Sequence, residues 1–92
     1  IYSVQLSGVG ATPAYLKFYN KASAPTCNSD AVLKTLIIPA ASTAANGAGS
    51  NITFVTGIAF TTGIAYCVTG GITDTDNTAV AASTFAINID YK

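Results

Sequence analysis

Several residue types are missing from this chain, and each absence excludes a kind of chemistry. The 92 residues contain no histidine, arginine, glutamate, methionine or tryptophan. Histidine is the commonest general acid or base near neutral pH, so the usual route to proton-transfer catalysis is missing. Hydrolase nucleophile motifs and a glycine-rich phosphate loop are absent as well. The sequence therefore predicts a protein that is not an enzyme and uses no cofactor.

Charge is also scarce. Charged residues make up 9% of the chain, and four lysines balance four aspartates, whereas an average soluble domain has about 25% charged residues. Without a basic stripe we expect no nucleic-acid partner, and no apolar run reaches the roughly 18 residues of a membrane span, so we expect no membrane partner. A surface this weakly charged favours association, which predicts a homo-oligomer or a subunit of an assembly. A monomer kept soluble by serine and threonine hydroxyls is the alternative.

The hydrophobic pattern predicts strands. Short alternating or apolar segments are bounded by glycine, proline and polar residues, as β-strands are, and no segment favours a long helix. A chain of this length holds one core of two packed layers. We therefore predict an all-β fold, a single antiparallel β-sandwich over residues 1–92, Greek-key or jelly-roll-like, with about six to eight short strands. The strand candidates are residues 2–7, 14–19, 32–38, 51–54, 64–69 and 84–92.

Two segments of this pattern lead to specific expectations. Residues 64–69 are the most continuously apolar candidate and lie between Gly63 and Gly70, so we expect this strand to be covered on both faces near the middle of a sheet. Residues 40–50 have small side chains and predict a mobile loop; a short helix is the alternative, which Asn46-Gly47 and Gly49 oppose. In the alternating strands every second residue is predicted to face the core, namely Tyr2, Val4, Leu6, Ala14, Leu16, Phe18, Phe85, Ile87, Ile89 and Tyr91.

The same alternation places Tyr15, Lys17 and Tyr19 on the opposite face of the second strand. Aromatic side chains that flank a lysine on an exposed sheet face can stack on a sugar or pack against another subunit. Subunit contact is the commoner role of such residues, and glycan contact is the alternative.

Asp74 and Asp76 stand at alternate positions of a polar segment. Such a pair can supply oxygen ligands to Ca²⁺, but Ala79 and Phe85 occupy the places where an EF-hand loop needs glycine and glutamate. The pair is therefore a weak metal candidate. The favoured interpretation is a polar turn in which these side chains bond to their own backbone.

Cys27 and Cys67 are the only cysteines. Paired, they would close a long loop and stabilise the folded state by about 4 kcal/mol on the chain-entropy model. As free thiols they would be small buried hydrophobic residues. The disulfide is the favoured interpretation, and the free thiols remain the alternative.

Five blocks of sequence form a recognisable pattern, namely AYLKFYNKASAPT at 14–26, GIAFTTGIAY at 57–66, TGG at 69–71, DTDNTAV at 74–80 and NIDYK at 88–92. In this order, and over nearly the whole chain, they resemble small domains encoded by tailed bacteriophages. The resemblance implies a β-sandwich virion component, of the capsid decoration or cement type, on the outer surface of the virion. Its partners would be the major capsid protein or other virion subunits.

The resemblance carries two further implications. Such domains typically have another strand before the point where this chain starts, which implies a missing N-terminal segment. From the resemblance we expect Val or Gly at the position of Cys27, and Ala or a similar small residue at that of Cys67. Two departures of the same kind favour a disulfide. Two alternative functions remain, a carbohydrate-binding or adhesin-like module of a tail fibre or cell surface, and a secreted filament subunit that receives a strand from its neighbour.

Overall fold

The protein is built from short β-strands. A computed structural model describes residues 1–43 and 47–92, and no helix occurs within these ranges. The predicted all-β class is thereby confirmed, and the number of strands lies within the predicted range. The strands are β1 (Ser3–Gly8), β2 (Ala14–Asn20), β3 (Lys34–Ile38), β4 (Ala48–Thr53), β5 (Ile64–Thr69) and β6 (Phe85–Asp90).

The strands form two three-stranded antiparallel sheets, which is consistent with a small β-sandwich. One sheet has the order β4-β1-β6 and the other β3-β2-β5. In the first sheet Val4 of β1 lies opposite Ile52 on one side and Ile89 on the other. In the second, Lys17 of β2 lies opposite Cys67 of β5. Each sheet therefore has its central strand from the first twenty residues of the chain and two edge strands from later segments.

The two sheets belong to two compact units of the chain. The first unit comprises Ile1–Pro13, Ile38–Ala59 and Ala81–Lys92, and the second comprises Ala14–Ile37 and Phe60–Val80. Both units are assembled from segments that are distant in sequence, because each sheet pairs early strands with late ones. The expectation that residues 1–92 form a single domain stays a prediction.

Central strand β1 contributes to the core of the first unit, which also includes the buried Ile1, Ile38 and Ala41. Val4 and Leu6 are 0% and 2% exposed, as the alternation predicts. Tyr2, predicted to face the core with them, is 48% exposed, and that prediction is wrong. Tyr2 precedes the first residue of β1 and its ring lies beside Gly57, where an added Cβ would come within 3.0 Å of the ring.

Edge strand β6 is less buried than its sequence suggests. Ile87 and Ile89 are half-buried, in agreement with the predicted inward face. Phe85 and Tyr91, predicted to face the core with them, are 36% and 70% exposed. Phe85 is exposed although it lies on the same face of β6 as Ile87 and Ile89, and Tyr91 follows the end of the strand, so the predicted burial of these two residues is wrong.

Strand β4 begins earlier than predicted. The expectation of a loop over 40–50 is wrong for Ala48, Gly49 and Ser50, which lie opposite Gly8, Ser7 and Leu6 of β1. Small side chains suit this pairing, since a Cβ on Gly49 would meet the Leu6 carbonyl oxygen at 3.3 Å. Residues 44–46 of the predicted loop lie outside the described residues.

Strand β5 is an edge strand, so the prediction that residues 64–69 occupy the middle of a sheet is wrong. Its smaller side chains, Ala65, Cys67 and Thr69, are the buried ones, whereas Ile64 and Tyr66 are 37% and 52% exposed. The central strand is β2. An apolar run shows that a strand has few polar side chains, but it does not show how many strands will pair with it.

Candidate functional site

Strand β2 is buried on both of its faces, which contradicts the expected exposure of Lys17 and Tyr19. Leu16 and Phe18 on one face are fully buried, and Lys17 and Tyr19 on the other are 0% and 1% exposed. Only Tyr15 of the three predicted contact residues is partly exposed. The sequence signal for this arrangement was available, because β2 carries large side chains on both faces, as strands covered on two sides do.

The Lys17 ammonium group is held by a turn that follows β5. Its Nζ donates hydrogen bonds to the carbonyl oxygens of Thr73 at 2.6 Å and Asp76 at 3.1 Å. A buried ammonium is costly unless such acceptors surround it. The two carbonyl groups therefore make burial of Lys17 possible, and in return the lysine fixes the turn on β2.

Asp76 organises that turn from within. Its Oδ1 accepts hydrogen bonds from the backbone N–H of Gly71 at 3.0 Å and of Thr78 at 2.9 Å, and its Oδ2 accepts one from the Thr78 hydroxyl at 2.9 Å. The backbone bond from Thr78, together with the weaker effects of Gly71 and the Lys17 charge, lowers the pKa of Asp76 below its ordinary value. A side chain at position 71 would overlap the Asp76 carboxyl group, so the turn requires glycine there.

Of the Asp74–Asp76 pair, Asp76 has the backbone bonding that the turn interpretation describes. Asp76 bonds to nearby backbone groups, and Asp74 is exposed. Within residues 1–43 and 47–92 no group of three or more cysteine or carboxylate side chains is arranged to hold a metal ion. The Asp76 carboxylate thus accepts hydrogen bonds from backbone N–H groups inside a turn.

A disulfide between Cys27 and Cys67 joins a loop to edge strand β5. The Cα atoms are 6.1 Å apart, within the usual range for a bridge. Tyr19, Ala65 and Cys67 form a small buried cluster, and Cys27 and Val32 pack against it. The bridge therefore fastens the segment between β2 and β3 over the face of the sheet that carries Tyr19.

Polar contacts inside this segment support the same arrangement. The Tyr19 hydroxyl donates to the Cys27 carbonyl oxygen at 3.3 Å, and Lys21 forms an ion pair of 2.7 Å with Asp30. The hydrogen bond from Lys21, with a further bond from the Thr26 N–H, lowers the pKa of Asp30. Burial raises the pKa of Tyr19, and the negative charge of Asp30 raises it further. Tyr19 is thereby a neutral, buried residue and not a surface platform.

Large apolar side chains remain exposed at the edges of both sheets. In the sheet β3-β2-β5 they include Ile37, Ile64 and Tyr66, which are 51%, 37% and 52% exposed. In the sheet β4-β1-β6 they include Phe85, and Tyr91 follows β6. Edge strands with exposed apolar side chains are surfaces on which another chain can pair and pack.

Comparison with known proteins gives no relative from which a role for these features could be taken. No family model, curated protein or solved structure matches the chain. Among the described residues there is also no helix with the length and apolar character needed to cross a membrane.

Proposed function

We propose that this chain is a non-enzymatic structural subunit of a bacteriophage virion, a capsid decoration or cement protein on the outer surface that acts through subunit–subunit contacts. Exposed apolar side chains on edge strands, in a chain with only eight charged residues, carry the structural part of the proposal. Such surfaces gain free energy when another subunit covers them. The resemblance of residues 14–26 and 57–66 to phage domains carries the assignment to a virion.

The internal constraints of the second unit support the same role. The disulfide, the buried Lys17 and the Asp76 turn all fix loops onto β2 and β5. These residues are engaged in holding the second unit together. Disulfides persist in oxidising surroundings outside the cytosol, which suits a protein on the exterior of a particle.

The carbohydrate-binding alternative gains nothing from the arrangement of β2. It needs Tyr15 and Tyr19 together on an exposed face, and Tyr19 is 1% exposed. The secreted filament alternative predicts the same open strand edges as the virion proposal. The particle with which the chain is found, a filament or a virion, therefore distinguishes these two proposals.

Mass spectrometry across a density gradient of the source material tests the proposal. Peptides of this chain are expected to travel with intact virions in a fixed ratio to the major capsid protein. A ratio near one per capsid subunit, or one per lattice three-fold, supports decoration of the capsid. Peptides that stay at the top of the gradient, or that travel with filaments or cell envelope, would overturn the virion assignment.

A further inference from the structure

The outer edge of β6 presents unpaired backbone groups beside an apolar row. The N–H of Val9 donates to the carbonyl oxygen of Thr84 at 2.8 Å, and hydrogen-bonding direction alternates along an antiparallel strand. The backbone groups of Ala86, Asn88 and Asp90 therefore point toward β1, and those of Phe85, Ile87 and Ile89 point away from it. Within the part of the chain that the structure describes, β6 ends its sheet.

Side chains of these same outward-bonding residues lie on one face. Residues directly opposite in a sheet share a face, and Ile87 and Ile89 lie opposite the buried Leu6 and Val4. Phe85 belongs to the same row, opposite Gly8. Tyr91, which is 70% exposed, is the residue after β6, and it joins this row where the strand is extended by one residue. The core face of the sheet thus continues to an open edge lined by apolar residues.

Natural proteins usually protect such an edge with proline, lysine or a bulge. Strand β3 begins at Lys34 and is followed by Pro39, and the end of β5 is closed by a hydrogen bond from the Gly70 N–H to the Thr78 carbonyl oxygen at 3.0 Å. Strand β6, with the sequence FAINID, has no lysine or proline. Of these three edges, β6 alone has neither a lysine, a proline nor a closing turn, and its one charged residue, Asp90, lies at its end.

We propose that β6 pairs antiparallel with β6 of a second copy of this chain. The two-fold axis that relates the copies passes midway between their two Asn88 residues. In this register Ile87 lies opposite Ile89 of the other copy, and Phe85 lies opposite Tyr91. The backbone groups of Phe85, Ile87 and Ile89 point to the free edge, and Tyr91 continues that alternation beyond the end of β6. The two sheets join into one six-stranded sheet with a continuous apolar face.

The sequence of β6 is complementary to itself in this register and in no neighbouring one. In a two-fold interface a contact between two different positions occurs twice, whereas a residue opposite its own copy meets it once, at the axis. Here Asp90 lies opposite Ala86, and Asn88 lies opposite Asn88. Moving the axis to Ile87 or to Ile89 leaves Tyr91 or Phe85, respectively, without its aromatic partner. Aromatic pairing therefore selects this alignment, and none of the three registers brings like charges opposite each other.

This inference deepens the proposed function by naming a surface for subunit contact, and its biological role rests on that proposal. Self-association is measured on the purified chain, whether or not the chain travels with a virion. Failure of one test therefore does not imply failure of the other.

Opposite charges at position 86 test the register. Ala86 is exposed and on the solvent face, so Ala86→Asp and Ala86→Lys are matched changes that should leave the monomer folded. Ala86→Asp faces Asp90 of the other copy at two symmetric places and should weaken the dimer about 2- to 30-fold, whereas Ala86→Lys should strengthen it by a similar factor. Sedimentation equilibrium at low salt gives both dissociation constants. A monomeric wild-type protein at every soluble concentration, or equal effects of the two changes, would overturn the proposal.

A cross-link locates the axis independently. The proposed axis places Asn88 directly opposite itself in a pair without mutual hydrogen bonds, where Cα atoms are about 4.5 Å apart. Asn88→Cys should form a disulfide-linked dimer on mild oxidation, and Ala86→Cys, one pleat away on the same face, should not. Equal cross-linking of the two variants, or none at position 88, would contradict pairing about Asn88.

Discussion

Loss of the Cys27–Cys67 disulfide is expected to destabilise this protein severely, because the bridge spans a sequence separation of 40 residues. On the chain-entropy model, closing a loop of that length lowers the entropy of the unfolded chain enough to contribute about 4 kcal/mol. A domain of this size has a free energy of unfolding of about 5–14 kcal/mol in total. The bridge therefore accounts for a large share of the stability.

The double variant Cys27→Ala/Cys67→Ala measures this share. For a domain of this length 1 kcal/mol corresponds to about 4–8 °C in Tm, so the variant should melt about 16–32 °C below the oxidised wild type. Thermal unfolding followed by far-UV circular dichroism gives the two values. The guanidinium m-value should rise as well, because the unfolded chain without its cross-link exposes more surface.

Reduction of the wild type provides the control. A reductant should lower the Tm of the wild type toward that of the double variant and leave the variant unchanged. Both cysteines lie in the second compact unit, so amide exchange should accelerate first in β2 and β5. A Tm difference below about 4 °C, equivalent to less than about 1 kcal/mol, would refute the assignment of a major stabilising role to the bridge.

Three further predictions concern the contacts that hold the strands and turns. Gly63→Ala should lower the free energy of unfolding, measured by chemical denaturation, by about 1–3 kcal/mol, since its Cβ would lie 2.7 Å from the Lys21 carbonyl oxygen. The control Gly10→Ala, whose Cβ would have its nearest atom at 3.5 Å, should be nearly neutral. Equal effects of the two variants would contradict the close approach. Lys17→Met should lower the free energy of unfolding by about 1.5–3 kcal/mol and speed amide exchange in residues 71–78, because it removes two charge-assisted hydrogen bonds. The surface control Lys21→Met should lower it by about 0–1 kcal/mol. A stable Lys17→Met variant with a protected turn would refute the anchoring role. The pKa of Asp76 is lowered in the folded state, so its stabilising contribution is present above its ordinary pKa of 3.8 and is lost as the pH falls through the lower folded value. Guanidinium midpoints measured from about pH 2 to 6 should therefore fall less steeply toward acid for Asp76→Asn than for the wild type or the exposed control Asp74→Asn. Identical pH profiles would show that the turn does not depend on the carboxylate.

Local sequence pattern was a good guide to the strands themselves. The predicted strand at 64–69 matches β5 residue for residue, and 14–19 differs from β2 by a single residue. Val4, Leu6, Leu16 and Phe18 are buried as their alternation predicts. These features depend on neighbours along the chain, because alternate side chains of any strand point to opposite faces.

The errors all concern which segments meet across the chain. Lys17 has the sequence character of a surface residue and is fully buried, because the carbonyl oxygens that accept its hydrogen bonds come from Thr73 and Asp76, more than fifty positions away. Tyr19 is covered by a loop that the disulfide fastens. No local pattern at β2 contains the later segments that bury it.

The amino-acid sequence by itself determined the all-β class, the positions of most strands and the lack of histidine-based chemistry, since composition and side-chain alternation are properties of the chain alone. The tertiary structure decided that β1 and β2 are the central strands, that β5 and β6 lie at edges, and that Asp76 serves a turn. Strand order depends on pairing between residues far apart in sequence, and the backbone hydrogen bonds of that pairing are the same for every residue type, so alternation within one strand does not identify its neighbour. For that reason the apolar residues of β6, which in sequence resemble a buried row, became an open edge.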